Sequence, residues 1–229
     1  MSFSNIWSEQ DQFTNPGGSA DTASVVVPSM AAYSIGFVLV LLNTAYSSDG
    51  LITGITWDGQ AMTQAVQFRG GVTSRHAAIF YLVNPPNNGT KNIVVSYIAE
   101  TARTGLVVSG GADASATVSL DDTSTGSGTG DPVPITSTQA GTNEFVLSGS
   151  VSAANALASP SVIDCTLLQA WDSGGNCMVS AYSIPAGSGD VTHQHDYSES
   201  EVYTVVSASF SEAGGATSIL RQMLMHHEG

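Results

Sequence analysis

The chain has 229 residues, 42% of them apolar, enough for a core in one large domain or two small ones. Only 10% are Asp, Glu, Lys or Arg, and 19 acidic against 5 basic residues leave a net charge of −14, which repels phosphate backbones and anionic lipid, so neither nucleic acid nor a membrane is an expected partner. Gly, Ser, Thr, Ala and Val take the place of the Glu, Lys, Arg and Leu that long helices draw on, and this composition predicts an all-β chain.

In chain order, "MSFSNIWSEQDQF" has neither a basic n-region nor an apolar h-region, so no signal peptide is expected. Residues 1–28 read as an N-terminal arm: "TNPGGSADTAS" is a connector and "VVVP" a short strand ended by Pro28. From 29 to 213 the pattern is one of successive strands. "FVLVLL" at 37–42 is too short to span a bilayer and reads as a buried strand. Asp58-Gly59, between apolar alternations, predicts a tight hairpin, because both turn positions need positive φ. "HAAIFYLV", "NIVVSYI" and "TGLVVSGG" follow. "DDTSTGSGTGDP" at 121–132 reads as a polar surface loop. The second half reads "EFVLSGSVSA", "VIDCTLLQAW", "CMVSAYSI", "DVTHQHDY" and "EVYTVVSASF". In 214–229, Ile219, Leu220, Met223 and Leu224 fall at helical spacing, which predicts a short helix or docking tail.

The halves echo one another. "FVLVLLNTA" answers to "FVLSGSVSA", "MTQAVQF" to "CTLLQAW", and "TGLVVSG" to "YTVVSAS"; Gly89 and Gly189, like Tyr97 and Tyr197, stand 100 apart. One sheet alone leaves an apolar face wet, whereas two facing sheets bury both. The expectation is therefore a single two-sheet antiparallel β-sandwich over 29–213, jelly-roll-like, made of half repeats at about 33–111 and 135–211.

Few residues invite chemistry. In "HQHD", His193 and His195 share one strand face and, with Asp196, are the weak metal candidates; a third ligand from elsewhere would be required. The favoured reading is two solvated or interface histidines, since they replace Ile93 and Val95 of the first half. Most Asp residues stand beside Gly or Ser in predicted turns, and no EF-hand, GxSxG or phosphate-loop context is present. No catalytic residue and no cofactor are expected. A hairpin at "WDSGG", pairing Trp171 with Asn176, keeps Cys165 and Cys177 apart, which predicts two buried thiols and no disulfide. Trp171 is expected in the core, and Trp57 is a candidate for an exposed sugar-stacking face.

"ITGITWDGQAMT" (52–63) and "YLVNPPNNGTKNIVVS" (81–96) resemble a β-sandwich domain of tailed-phage structural proteins, found also in some bacterial surface proteins, and the resemblance extends over most of residues 33–211. It implies a virion or surface role without catalytic residues. The expected protein is a capsid decoration (cement) protein on the virion exterior, made in the host cytoplasm. Its partners would be the major capsid protein and copies of itself, a trimer being common for shell decorations. Docking is expected from the arm through Ile6, Trp7 and Phe13, and from the tail through Ile219, Leu220, Met223 and Leu224. The alternative is a carbohydrate-binding or host-adhesion module with a glycan partner. The acidic composition and the tail after Gly215 are not part of the family pattern.

Overall fold

The structure, a computed structural model, describes residues 3–15, 18–44, 46, 50–70, 74–98, 103–153, 161–173, 175–197 and 199–213. Its first half holds β1 (Ser4–Asn15), β2 (Ala20–Val27), β3 (Tyr33–Thr44), β4 (Ile52–Trp57), β5 (Gln60–Ala61), β6 (Thr63–Arg69), β7 (Arg75–Val83), β8 (Gly89–Tyr97) and β9 (Arg103–Ala114). The second half holds β10 (Val118–Gly130), β11 (Val133–Gln139), β12 (Phe145–Ser152), β13 (Ser161–Ile163), β14 (Thr166–Asp172), β15 (Cys177–Ser183), β16 (Gly189–Asp196) and β17 (Glu201–Glu212). No helix occurs among the described residues.

The strands form four antiparallel sheets whose orders repeat strand for strand. Sheet β1-β9-β3-β7-β6 of the first half matches β10-β17-β12-β15-β14 of the second, and β2-β8-β4-β5 matches β11-β16-β13. Among the described strands only β5, the far arm of the Asp58-Gly59 hairpin, has no counterpart. Asp58 (φ 49°) and Gly59 (φ 82°) make that hairpin as the sequence predicts, with Trp57 opposite Gln60.

Strand β3 shows how the layers stack. Its residues are buried without a break from Ser34 to Leu42, because both faces are covered. Ile35, Phe37, Leu39 and Leu41 enter a central core shared with Phe145, Leu147 and Val151 of β12 and Val206, Ala208 and Phe210 of β17. Val38, Val40 and Leu42 enter a separate core with Val25, Ile55, Trp57, Ile93 and Val95 of the outer sheet. The expected sandwich of one half against the other is thus present, and each half adds an outer sheet of its own. The two central sheets approach closely at Gly149, where a Cβ would stand 2.8 Å from Leu39 Cδ2. Cross-links join the halves: Gly70 N–H donates to Thr204 Oγ1 (3.0 Å) and Gln169 Nε2 to Ser8 Oγ (3.2 Å).

Two expectations are corrected together. The expected arm is instead two strands: β1 (Ser4–Asn15) pairs along β9 and β2 (Ala20–Val27) along β8. Residues 121–132 are no loop: most lie in β10, which pairs along β17. The two segments are the same element in the two copies, so the repeats begin at β1 and β10 rather than near 33 and 135. Both β1 and β10 are edge strands half open to water, which need little apolar content, and the Ser/Thr/Gly alternation of β10 satisfies that with one half-covered face. Gly128 lies under the ring of Tyr203, with a Cβ position 3.1 Å from its hydroxyl. The expected tail at 214–229 lies outside the described residues.

Candidate functional site

The "HQH" motif lies on β16, and its imidazoles are neither solvated nor at an interface: His193 is 1% exposed and His195 0%. The reason is on the facing strand. Where β3 has Val40 and Leu42, β12 has Ser148 and Ser150, and small hydroxyls make room for the rings. Ser183 Oγ lies 2.7 Å from His193 Nε2, His193 Nδ1 2.8 Å from Ser148 Oγ, and Ser148 Oγ 2.8 Å from His195 Nε2. His195 Nδ1 then lies 2.5 Å from Ser150 Oγ, which is 2.5 Å from the Tyr197 hydroxyl. Beside this chain Ser137 and Ser207 join hydroxyls at 2.6 Å.

Counting hydrogens fixes the chain's direction. Five links join six groups that carry six hydrogens when both imidazoles are neutral, so one hydrogen points outward. The Tyr197 end lies among Val133, Cys177, Val179 and Val205, away from water, whereas Ser183 is half-buried at a surface cleft. The outward hydrogen therefore belongs to Ser183. Donation runs from Tyr197 to Ser150, to His195 Nδ1, from His195 Nε2 to Ser148, to His193 Nδ1, and from His193 Nε2 to Ser183. Both rings are Nε2–H tautomers. A seventh hydrogen would have no acceptor within the chain, and an unsatisfied buried donor is costly. Burial acts in the same sense, pushing His193 down to about 4, and burial with its neighbour His193 pushes His195 down to about 3.

In this tautomer His193 presents N–H to Ser183. The metal reading lacks its third ligand: no group of three His, Cys, Asp or Glu side chains among the described residues is arranged to hold a metal ion. Asp196 lies on the other face of β16; the nearby Asp131 carboxyl, which accepts from Tyr197 N–H (2.7 Å), is raised by burial and, less, by Asp196.

The cleft at the Ser183 end has a volume of about 540 Å³ and is lined by Asp164, Ser183, Ile184, Pro185, Asp190, Val191 and Thr192, the last and Asp190 also bonded to Thr136 and Thr138 of β11. A second acidic group was not legible in the sequence. Glu144 is 1% exposed; its Oε1 accepts from Gly141 N–H (2.6 Å), and burial, with Asp121 and Asp122 nearby, raises its carboxyl to about 7.

The expected docking residues of the N-terminal segment are half-buried on the edge strand β1. Ile6 packs on the central core, and Trp7 and Phe13 pack on the outer core of the first half. Trp7 stands edge-on to Trp57, their ring centroids 6.2 Å apart at 79°. Ile219, Leu220, Met223 and Leu224 lie outside the described residues. Trp57 is fully buried, its Nε1 donating to Pro86 O (3.0 Å), so it forms no sugar-stacking face. Trp171 is half-buried against the central core, as expected. Neither cysteine is in a disulfide; Cys177 is buried but Cys165 only half-buried. In the hairpin, Trp171 faces Met178 rather than Asn176, and Asp172 faces Cys177.

Ser148, Ser150 and Ser183 were missed as partners of the histidines. The signal was present as a correlated exchange: "VLL" became "SGS" at 40–42 and 148–150, while Ile93 and Val95 became His193 and His195. Strand register supplies the sixth position, since Val38 pairs with Phe80 and Val146 with Ser183. Compared with family models, with curated proteins and with solved structures, the chain matches none.

Proposed function

We propose that this chain is a structural protein of a tailed-phage virion, a capsid decoration protein on the shell exterior whose partners are the major capsid protein and copies of itself. The observation that carries this reading is the pair of motifs on which the resemblance rests. In the fold they act as one packing unit. The indole of Trp57 sits between Gly36, where a Cβ would lie 3.1 Å from its Cζ3, and the Pro85–Pro86 segment, whose Pro86 carbonyl it bonds. Such motifs specify a scaffold and not a reaction, in keeping with a passive role.

The mechanism is mass action. A protein that binds the assembled shell and not its dissociated subunits stabilises the assembly by about 2.7 kcal/mol per site when its free concentration is a hundred times Kd. Docking falls to the sheet edges, β1 with Ile6, Trp7 and Phe13 among them, and to the C-terminal Ile219, Leu220, Met223 and Leu224. The test is to prepare particles with and without the protein. Shells lacking it should rupture at lower temperature and under milder osmotic shock, and adding it back should restore resistance. Equal rupture temperatures would overturn the reading.

A further inference from the structure

Among the described residues, the two halves differ in one place where the first is filled and the second is open. In the first half, β4 runs along β8 as far as Trp57, opposite Ile93, and the contact continues through Asp58 N–H to Asn92 O (2.7 Å). The turn is held by Lys91 Nζ on Asp58 Oδ2 (3.3 Å), and the indole fills the gap between the sheets. In the second half, β13 pairs only with residues 194–196 of β16 and ends at Ile163, opposite Gln194. Asp164 (φ 60°) turns the chain away, and β14 begins at Thr166. Residues 57–62 of the first half thus have only Asp164 and Cys165 as their counterpart. The edge of β16 from Asp190 to Thr192 borders the cleft instead.

We propose that this cleft is a strand-addition site for an extended segment of another protein, one carrying an aromatic side chain next to Lys or Arg. The backbone edge of β16 offers the hydrogen bonds, and the space that Trp57 fills in the first half receives the aromatic ring. Ser183, whose hydroxyl hydrogen is the one left over by the buried chain, offers a donor at the cleft's inner end. Charge selects the occupant. The position of Lys91 is taken by Val191, and Asp164 and Asp190 bring carboxylates to the rim, so the anionic Asp58-type turn of the first half is disfavoured and a cationic one favoured. A second copy of this chain is a poor candidate, with 5 basic residues in 229 and a net charge of −14. The inference rests on the comparison of the two halves and stands apart from the virion reading.

The test uses the full chain, 15N-labelled, titrated with a synthetic peptide of residues 52–63 carrying Asp58→Lys. Amide shifts should concentrate at 183–185 and 190–193 and saturate. Asp164→Asn/Asp190→Asn in the protein, Trp57→Ala in the peptide, or restoring Asp58 in the peptide should each weaken binding at least tenfold; both protein positions are at the surface, and amide spectra of the double variant confirm its fold. No shifts at millimolar peptide, shifts centred on another sheet edge, or binding indifferent to the carboxylates would overturn the proposal. None of these outcomes bears on whether the protein decorates a shell.

Discussion

Replacing both buried imidazoles by side chains that bond but do not titrate, His193→Gln/His195→Gln, should flatten the acid limb of the stability curve. An unfolded imidazole takes its proton near pH 6.5. In the fold the two rings hold out to about 4 and about 3, because burial opposes a charge and, at His195, so does the neighbouring His193. The unfolded state therefore binds more protons below pH 6.5, and stability falls as pH falls from there toward the folded values. At pH 4.5 both folded rings are still largely neutral, so the loss depends mainly on the two units between 4.5 and 6.5, about 2.7 kcal/mol per ring and about 5 kcal/mol for the pair. Glu144 acts with the opposite sign. Its folded carboxyl, raised to about 7, keeps a proton that the unfolded chain releases, so its contribution is gained on acidification. The difference between wild type and variant removes that term. Urea unfolding followed by tryptophan fluorescence at pH 8 and pH 4.5 should show the wild type losing about 5 kcal/mol more than the variant over that interval. Curves that run parallel to within 1 kcal/mol would refute the neutral, fully bonded network.

Other consequences can be checked separately. Long-range 15N–1H spectra at pH 7 should show both His193 and His195 as Nε2–H tautomers; an Nδ1–H ring at either position would reverse the deduced direction of donation. Trp57→Ala should cost about 3–5 kcal/mol in urea unfolding, because the indole is wholly enclosed and bonded to Pro86 O; a loss under 1 kcal/mol would mean the ring is not packed as described. Gly110→Ala should cost about 3 kcal/mol, the upper end of overpacking penalties, since its Cβ would collide with the Trp7 carbonyl and the Phe37 ring. A neutral result there would show β1 detached from β9.

The fold was legible where one physical signal dominated. The unbroken apolar run of β3, the Asp58-Gly59 turn and the echo of the two halves each had a single reading, and they led to strands and to a shared core. The edge strands were not legible, because β1 and β10 bury so little that "SNIWSEQDQFTN" and "DDTSTGSGTG" carry neither apolar alternation nor charge enough to distinguish a strand from a connector. Their equivalence shows only in pairing, through β9 and β17. For the histidines, polarity alone argued for solvent. What placed them inside was the matching loss of bulk at Ser148 and Ser150, a signal spread over two strands 45 residues apart. The cleft, likewise, is visible only against the first half, as the place where a hairpin is missing.

The central claim is that the two repeats share one core and unfold as one body. Native-state hydrogen exchange at pH 7 tests it most directly. Amides of Phe37–Leu41 and of Phe145–Val151, which meet in the central core, should exchange only through global opening and with one common free energy. Two distinct free energies, one for each half, would mean that the repeats are separate bodies merely in contact, and would contradict the account.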